Sequence, residues 1–269
     1  MSTPSIPSKE VFVPRLEASG VVITGGTSGV GLATALRFAE AGVKRMALLG
    51  RNVERGEAAR EMVMNAHPEL QVLFVSADAN HVDQVNRAVA QVRAALGSID
   101  VLVNSTVGTF VPTLFHELPI EDIETLLVQQ MLAPLLMSRA VLNGMRERGG
   151  GVIINIASDA CKVPTPGESV IGAAMAGIAM FSRGLALEAK RNGIRVNTLT
   201  PSLIQGTLTY DRVMADPFSA KLFGNAVKQA HLGVVGPDDL AGLIVFLASP
   251  QGARLTGQTI SVNGGISIA

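Results

Sequence analysis

The chain has 269 residues, room for one large or two small domains at roughly 100–200 residues each. Its 22 lysines and arginines cancel 22 aspartates and glutamates, so no basic stripe is available to a nucleic-acid backbone. The longest uncharged apolar run, residues 170–181, is shorter than the roughly 20 residues of a membrane-spanning helix.

One cysteine, Cys161, excludes an internal disulfide framework and fits a reducing, cytoplasmic setting. Residues 1–19 carry three prolines among Ser, Thr and Lys and lack the apolar core of a secretory signal, which predicts a flexible N-terminal tail. From residue 20 onward, apolar runs of strand length alternate with helix-period segments. Strands are expected at 20–24, 45–50, 71–77, 100–104, 151–157, 194–199 and 259–262, and helices at 29–41, 54–65, 82–96, 121–148, 168–191 and 237–248. Residues 202–236 are the least regular stretch, and so long a connection is usually functional or mobile. The pattern implies one α/β domain over 20–269, a doubly wound, seven-stranded parallel sheet of Rossmann type with helices on both faces.

Thr24-Gly25-Gly26-Thr27-Ser28-Gly29-Val30-Gly31 falls between the first strand and first helix. There, backbone N–H groups and the helix dipole can hold a pyrophosphate, and missing side chains allow its close approach. A tight turn without a ligand is the alternative. The second strand ends in Gly50-Arg51, where NAD-preferring proteins place an acid for the ribose 2′-hydroxyl, so NADP(H) is expected over NAD if a nucleotide binds. A solvated arginine reads equally well. Asp78, closing the third strand, either touches the adenine or caps the next turn. The four histidines, His67, His81, His116 and His231, lack ligand spacing, so no metal site is expected.

These segments, with Asn104, residues 153–158 (Ile-Ile-Asn-Ile-Ala-Ser), residues 193–197 (Gly-Ile-Arg-Val-Asn), Pro201 and residues 263–265 (Asn-Gly-Gly), resemble the short-chain dehydrogenase/reductases over residues 19–268. The resemblance implies cofactor contacts at Thr24, Gly25, Gly29, Gly31, Arg51, Asp78 and Asn104. It also implies a catalytic serine, a tyrosine acid or base, a lysine four residues later and a helix asparagine. Ser158 matches the serine, but the Tyr, Lys and Asn positions hold Ile171, Met175 and Gln130. The only tyrosine is Tyr210.

Positions 171 and 175 are one helical turn apart on one face, so both side chains reach the same place. Neither can exchange a proton, a service usually worth about a hundred- to ten-thousand-fold in rate. Ser158 is thus a relic, and no catalytic residue is expected, although Asp159 and Glu168 are close enough to be replacement acids. The loop after the fourth strand is also altered, with Ser105-Thr106-Val107-Gly108 where the family has Asn-Ala-Gly. Cofactor binding is therefore expected to be vestigial or lost. The family's intersubunit helices are retained as apolar segments with Leu126, Leu127, Leu132, Leu135 and Leu136. Together these features imply a catalytically inactive subunit that supports an intact paralogue in a hetero-oligomer, expected to be a tetramer by the family resemblance; the alternatives are an NADP(H)-dependent oxidoreductase with different proton chemistry, or a nucleotide-binding regulator.

Overall fold

The structure is a computed structural model and describes residues 15–269. Seven parallel strands form one sheet in the order β3-β2-β1-β4-β5-β6-β7. They are β1 (Gly20–Thr24), β2 (Arg45–Gly50), β3 (Gln71–Ser76), β4 (Val101–Asn104), β5 (Gly151–Ile156), β6 (Ile194–Thr200) and β7 (Thr259–Ser261). The helices are α1 (Gly29–Glu40), α2 (Val53–Ala66), α3 (Val82–Leu96), α4 (Asp122–Leu127), α5 (Ala133–Glu147), α6 (Ser169–Ala189), α7 (Leu208–Ala215), α8 (Pro217–Val227) and α9 (Pro237–Ala248).

Successive side chains of a strand point to opposite faces, and both faces here are covered. Val21, Ile23, Met46 and Leu48 join one core with α1, α2 and α9. Val22, Ala47 and Leu49 join the other with α3, α5 and α6. This double burial explains why the central strands are continuous apolar runs. Chain direction across the sheet reverses between β1 and β4, which opens a crevice at their C-terminal ends.

Two expectations are corrected by the structure. The tail does not extend to residue 19: Leu16–Ala18 is a 3₁₀ turn with Leu16 buried in the first core, while residues 1–14 lie outside the described residues. The stretch 202–236 is not irregular but contains α7 and α8. Thr207 caps α7 by accepting from Tyr210 N at 3.1 Å, and Asp216 caps α8 by accepting from Ser219 N at 2.8 Å ahead of Pro217. The stretch 121–148, expected to be mostly helical, is one helix over Asp122–Glu147 that passes through a π-helical turn at Val128–Leu132, a feature frequent at functional sites.

Asp122–Glu147 and Ser169–Asn192 are long and apolar enough to pass a length-and-composition criterion for a membrane span, which the shorter uncharged run did not anticipate. Each packs one side onto the sheet. The other side leaves Leu127, Val128, Met180 and Leu187 exposed.

Candidate functional site

At the C-terminal ends of β1 and β4 the crevice has two ends of different character. The turn after β1 forms one of them. Gly25 takes φ +65°, and a Cβ there would lie 2.3 Å from Ser105 O; a Cβ on Gly31 would lie 2.2 Å from Gly25 O. Close backbone packing therefore demands both glycines. Ser28 is the N-cap of α1, yet its side chain makes no capping bond. Among the described residues, the amides of Gly29, Val30 and Gly31 have no acceptor; Leu32 N, bonded to Ser28 O at 3.2 Å, is the first that does. Such free donors at a helix start suit an anion.

Arg51 and Arg55 flank this turn. Arg55 Nε donates to Thr27 Oγ1 at 3.3 Å, while the Arg51 side chain is 60% exposed and 3.8 Å from Asp78 Oδ2. Asp78 caps its own turn, with Oδ1 accepting from Asn80 N at 2.9 Å. Its other oxygen faces Arg51 and His81, each at 3.8 Å. Thr24 and Asn104 are buried and belong to an internal polar chain. Thr24 Oγ1 donates to Asn104 Oδ1 (3.3 Å), Asn104 Nδ2 to Asn155 Oδ1 (2.8 Å), Asn155 Nδ2 to Ser182 Oγ (2.8 Å), and Ser182 Oγ to Ile178 O (2.8 Å). Their side chains fix the strand ends.

The opposite end lies between β5, α6 and α7. Ser158 Oγ accepts from Ala160 N at 3.2 Å and caps the 3₁₀ turn Asp159–Cys161, its one hydrogen bond among the described residues. Ile171 and Met175 are buried in an apolar cluster with Leu126, Ala157 and Ile178, bordered by Phe110, Leu118, Met131, Cys161 and Val170. A cavity of about 10 Å³, room for one water, remains beside Ile171, lined by Leu118, Leu126 and Val170 among others. Gln130, at the helix-asparagine position in the π turn, is buried and its Oε1 accepts from Gly108 N at 3.3 Å. It pins the loop after β4 and leaves no open relay.

Asp159 is also occupied. Asn263 Nδ2 donates to its carboxylate, Ser267 Oγ does so at 2.7 Å and Ser261 Oγ at 3.2 Å, with Lys162 Nζ at 3.8 Å. This buried group fastens the C-terminal segment to the turn after Ser158. Glu168 differs: at the start of α6, one turn ahead of Ile171, its carboxyl is pushed up to about 7 by burial, opposed only by a hydrogen bond with Thr165. Burial likewise raises the Cys161 thiol above its ordinary value, which makes it a poor nucleophile.

Sequence reasoning missed α7 and α8, which close over the crevice. The Thr207 methyl would meet a Cβ on Gly29 at 3.3 Å, Arg212 Nη1 donates to Gly108 O at 3.4 Å, and Phe218 packs against Gly167. The cap signals at Thr207 and Asp216-Pro217 were present in the sequence.

For a nicotinamide dinucleotide, then, the turn after β1 fits an adenosine diphosphate moiety: close-packed glycines, free amides and an exposed arginine meet there. At the other end, Ile171 and Met175, an alkyl group and a thioether, stand buried in an apolar cluster at the positions where the family resemblance expects the tyrosine and lysine. The short chain dehydrogenase family model matches residues 19–216, and the chain belongs to that family. It is 32% identical over 248 residues to a 3-oxoacyl-(acyl-carrier-protein) reductase of Chlamydia pneumoniae, covering 92% of this chain and 96% of the relative. It is also 32% identical over 245 residues to an acetoacetyl-CoA reductase of Shinella zoogloeoides, covering 91% and 96%. Among solved structures, levodione reductase superposes with a TM-score of 0.86 at 27% identity, covering 92% of this chain and 97% of that one. The 3-ketoacyl-(acyl-carrier-protein) reductase of Brucella melitensis, complexed with NADH, gives 0.83 at 28%, covering 94% and 100%.

Proposed function

We propose that this chain is a non-catalytic short-chain dehydrogenase subunit that assembles in the cytoplasm with a catalytically intact paralogue, as a heterotetramer, and supports its NAD(P)-dependent alcohol dehydrogenase activity. One observation carries the reading: Ile171 and Met175 are core residues of an apolar cluster, at the two positions where the family moves a proton and holds the nicotinamide ribose. A hydride acceptor or donor bound there would find neither a phenol nor an ammonium at these positions to handle the accompanying proton. The fold around the site is nevertheless intact, from the glycine turn to the C-terminal segment held by Asp159.

The exposed apolar side chains of α4 to α6 support the assembly. Met180 and Leu187 are each 64% exposed on a helix whose other side is buried, and a partner helix would cover them. The arrangement resembles the two-gene short-chain 2-(α-hydroxybenzyl)succinyl-CoA dehydrogenase of anaerobic toluene degradation, in which one subunit lacks the active-site set. Co-expression with intact paralogues encoded nearby, followed by affinity purification and native mass spectrometry, is the test. A stoichiometric mixed oligomer is expected. A homo-oligomer that ignores every intact paralogue, or steady dehydrogenation by the isolated chain, defeats the proposal.

A second reading, an oxidoreductase with different proton chemistry, is favoured by Glu168 alone. A carboxyl titrating at about 7 one turn from Ile171 suits an acid or base near neutral pH. It predicts a rate from the isolated chain that Glu168→Gln removes together with a pH limb near 7.

A further inference from the structure

The loop 162–168 joins the 3₁₀ turn Asp159–Cys161 to α6 and forms part of the wall around Ile171. Pro164 and Pro166 remove two backbone donors from it. Its tip, Gly167, takes φ +81°, and a Cβ there would lie 2.8 Å from the Phe218 ring of α8 and 3.1 Å from both Pro112 and Thr113 N. One backbone bond, Thr113 N to Gly167 O at 2.9 Å, ties this tip to the loop after β4. The contact bounds the small cavity beside Ile171, to which Thr113, Gly167 and Ser169 all contribute.

Glu168 follows this tip and is partly buried. Its carboxyl is pushed up to about 7 by burial, with Thr165 alone opposing, and Thr165 Oγ1 also donates to Val163 O at 3.2 Å. The charged groups on the neighbouring elements are engaged with one another or face solvent. Lys162 lies 3.8 Å from Asp159 at the 3₁₀ turn, Asp216 caps α8 through Ser219, and His116 stands 3.8 Å from Glu117 in the loop after β4. Lys221 on α8 and Glu121 and Glu124 at α4 are exposed, and Asp122 is partly so. None of them contributes to the shift at Glu168. A carboxylate formed there would be short of donors.

We propose that residues 162–168 form a latch controlled by the proton on Glu168: the neutral carboxyl lets Gly167 seat between Phe218 and Thr113, and its ionisation swings the loop outward, breaking the Thr113 bond and opening the space beside Ile171 to solvent. The loop has few bonds to lose, so it opens locally while the sheet stays folded. The closed state holds the proton up to about pH 7, whereas the opened carboxyl, back in water, holds it only up to about 4.5. Opening is therefore resisted below pH 4.5 and favoured progressively up to 7, by at most about 300-fold. The device needs neither substrate nor cofactor, so it is independent of assembly and of turnover.

Hydrogen exchange of the full-length chain, read by mass spectrometry at about pH 5 and about pH 8.5 and corrected for intrinsic exchange, tests this. Peptides covering 111–118 and 162–172 should lose protection by up to about 70-fold between the two conditions, while a peptide over β1 keeps its own. Glu168→Gln should hold the latch closed in both, and Phe218→Ala should loosen it in both while keeping the ratio between them. Equal protection of the latch peptides in acid and base overturns the proposal, as does a loss in base that persists in Glu168→Gln. A loss shared equally by β1 also overturns it, since Glu168 would then act on global stability alone. The wild-type series decides the matter even where a variant fails to fold.

Discussion

Two helices begin at the crevice, α1 and α6, and their first turns differ in side chains rather than in backbone. Among the described residues both open alike, Leu32 N bonding to Ser28 O at 3.2 Å and Gly172 N to Glu168 O at 2.6 Å, with no side-chain cap and three earlier amides without acceptors. At α1 those three residues include two glycines, whereas α6 buries Ile171 and Met175 against Leu126 and Ile178. The difference teaches that the side chains of a helix start decide what can approach its amides. Backbone supplies the first end, so it persists as long as the glycines do. Side chains supply the second, and substituting two of them converts a site into core.

Gly31→Ala should give the largest effect. Its Cβ would meet backbone at 2.2 Å, so a cost upward of about 3 kcal/mol and loss of nucleotide binding are expected by denaturant melts and titration. A tolerated alanine would place the close packing of this turn in error. Asp159→Ala comes next: it strands Asn263, Ser261, Ser267 and Lys162, and should cost about 3 kcal/mol. Were Asp159 instead a replacement acid, the variant would melt normally and lose only rate.

Met175→Ala should lower stability by about 2–3 kcal/mol as a cavity opens in the cluster, and leave nucleotide titrations unchanged. The same pair of readouts should reverse for Arg51→Ala, which makes the two ends separable in one experiment. The smallest effect is at Glu168. Its carboxyl titrates at about 7 in the folded chain against an ordinary value of 4.5, so the folded state binds the extra proton between those values. Stability on this account is greatest below pH 4.5 and falls as pH rises to 7. Glu168→Gln should flatten that fall, raising Tm at pH 8 by about 2–4 °C for each kcal/mol relieved and leaving pH 4 nearly unaltered.

Most of the sheet was legible because strands covered on both sides must be apolar throughout: β1, β2 and α9 fall at their expected positions. The substituted proton-transfer positions were legible through the resemblance to the family's motif, and spacing added that 171 and 175 share a helix face. What the sequence concealed was where polar side chains turn. Asp159 and Glu168 flank the same loop and looked equivalent, yet one is held by hydroxyls, an amide and an ammonium, and the other is desolvated with little compensation. Likewise, Asn104 in a family motif says nothing about whether its carboxamide faces a ligand or a neighbouring strand. The α7 and α8 segment was obscured because its small core of Leu203, Val213 and Phe223 is local and too short to show a strong period.

The buried polar chain from Thr24 through Asn104 and Asn155 to Ser182 spans the molecule from its first strand to its sixth helix. During synthesis, its last hydroxyl leaves the ribosome roughly 160 residues after the first, at about 5–20 residues per second. Until then the nascent sheet carries amide side chains in its interior without their final acceptors. The N-terminal half therefore cannot mature as an independent early unit, and truncated products ending before α6 should be captured by chaperones rather than accumulate folded.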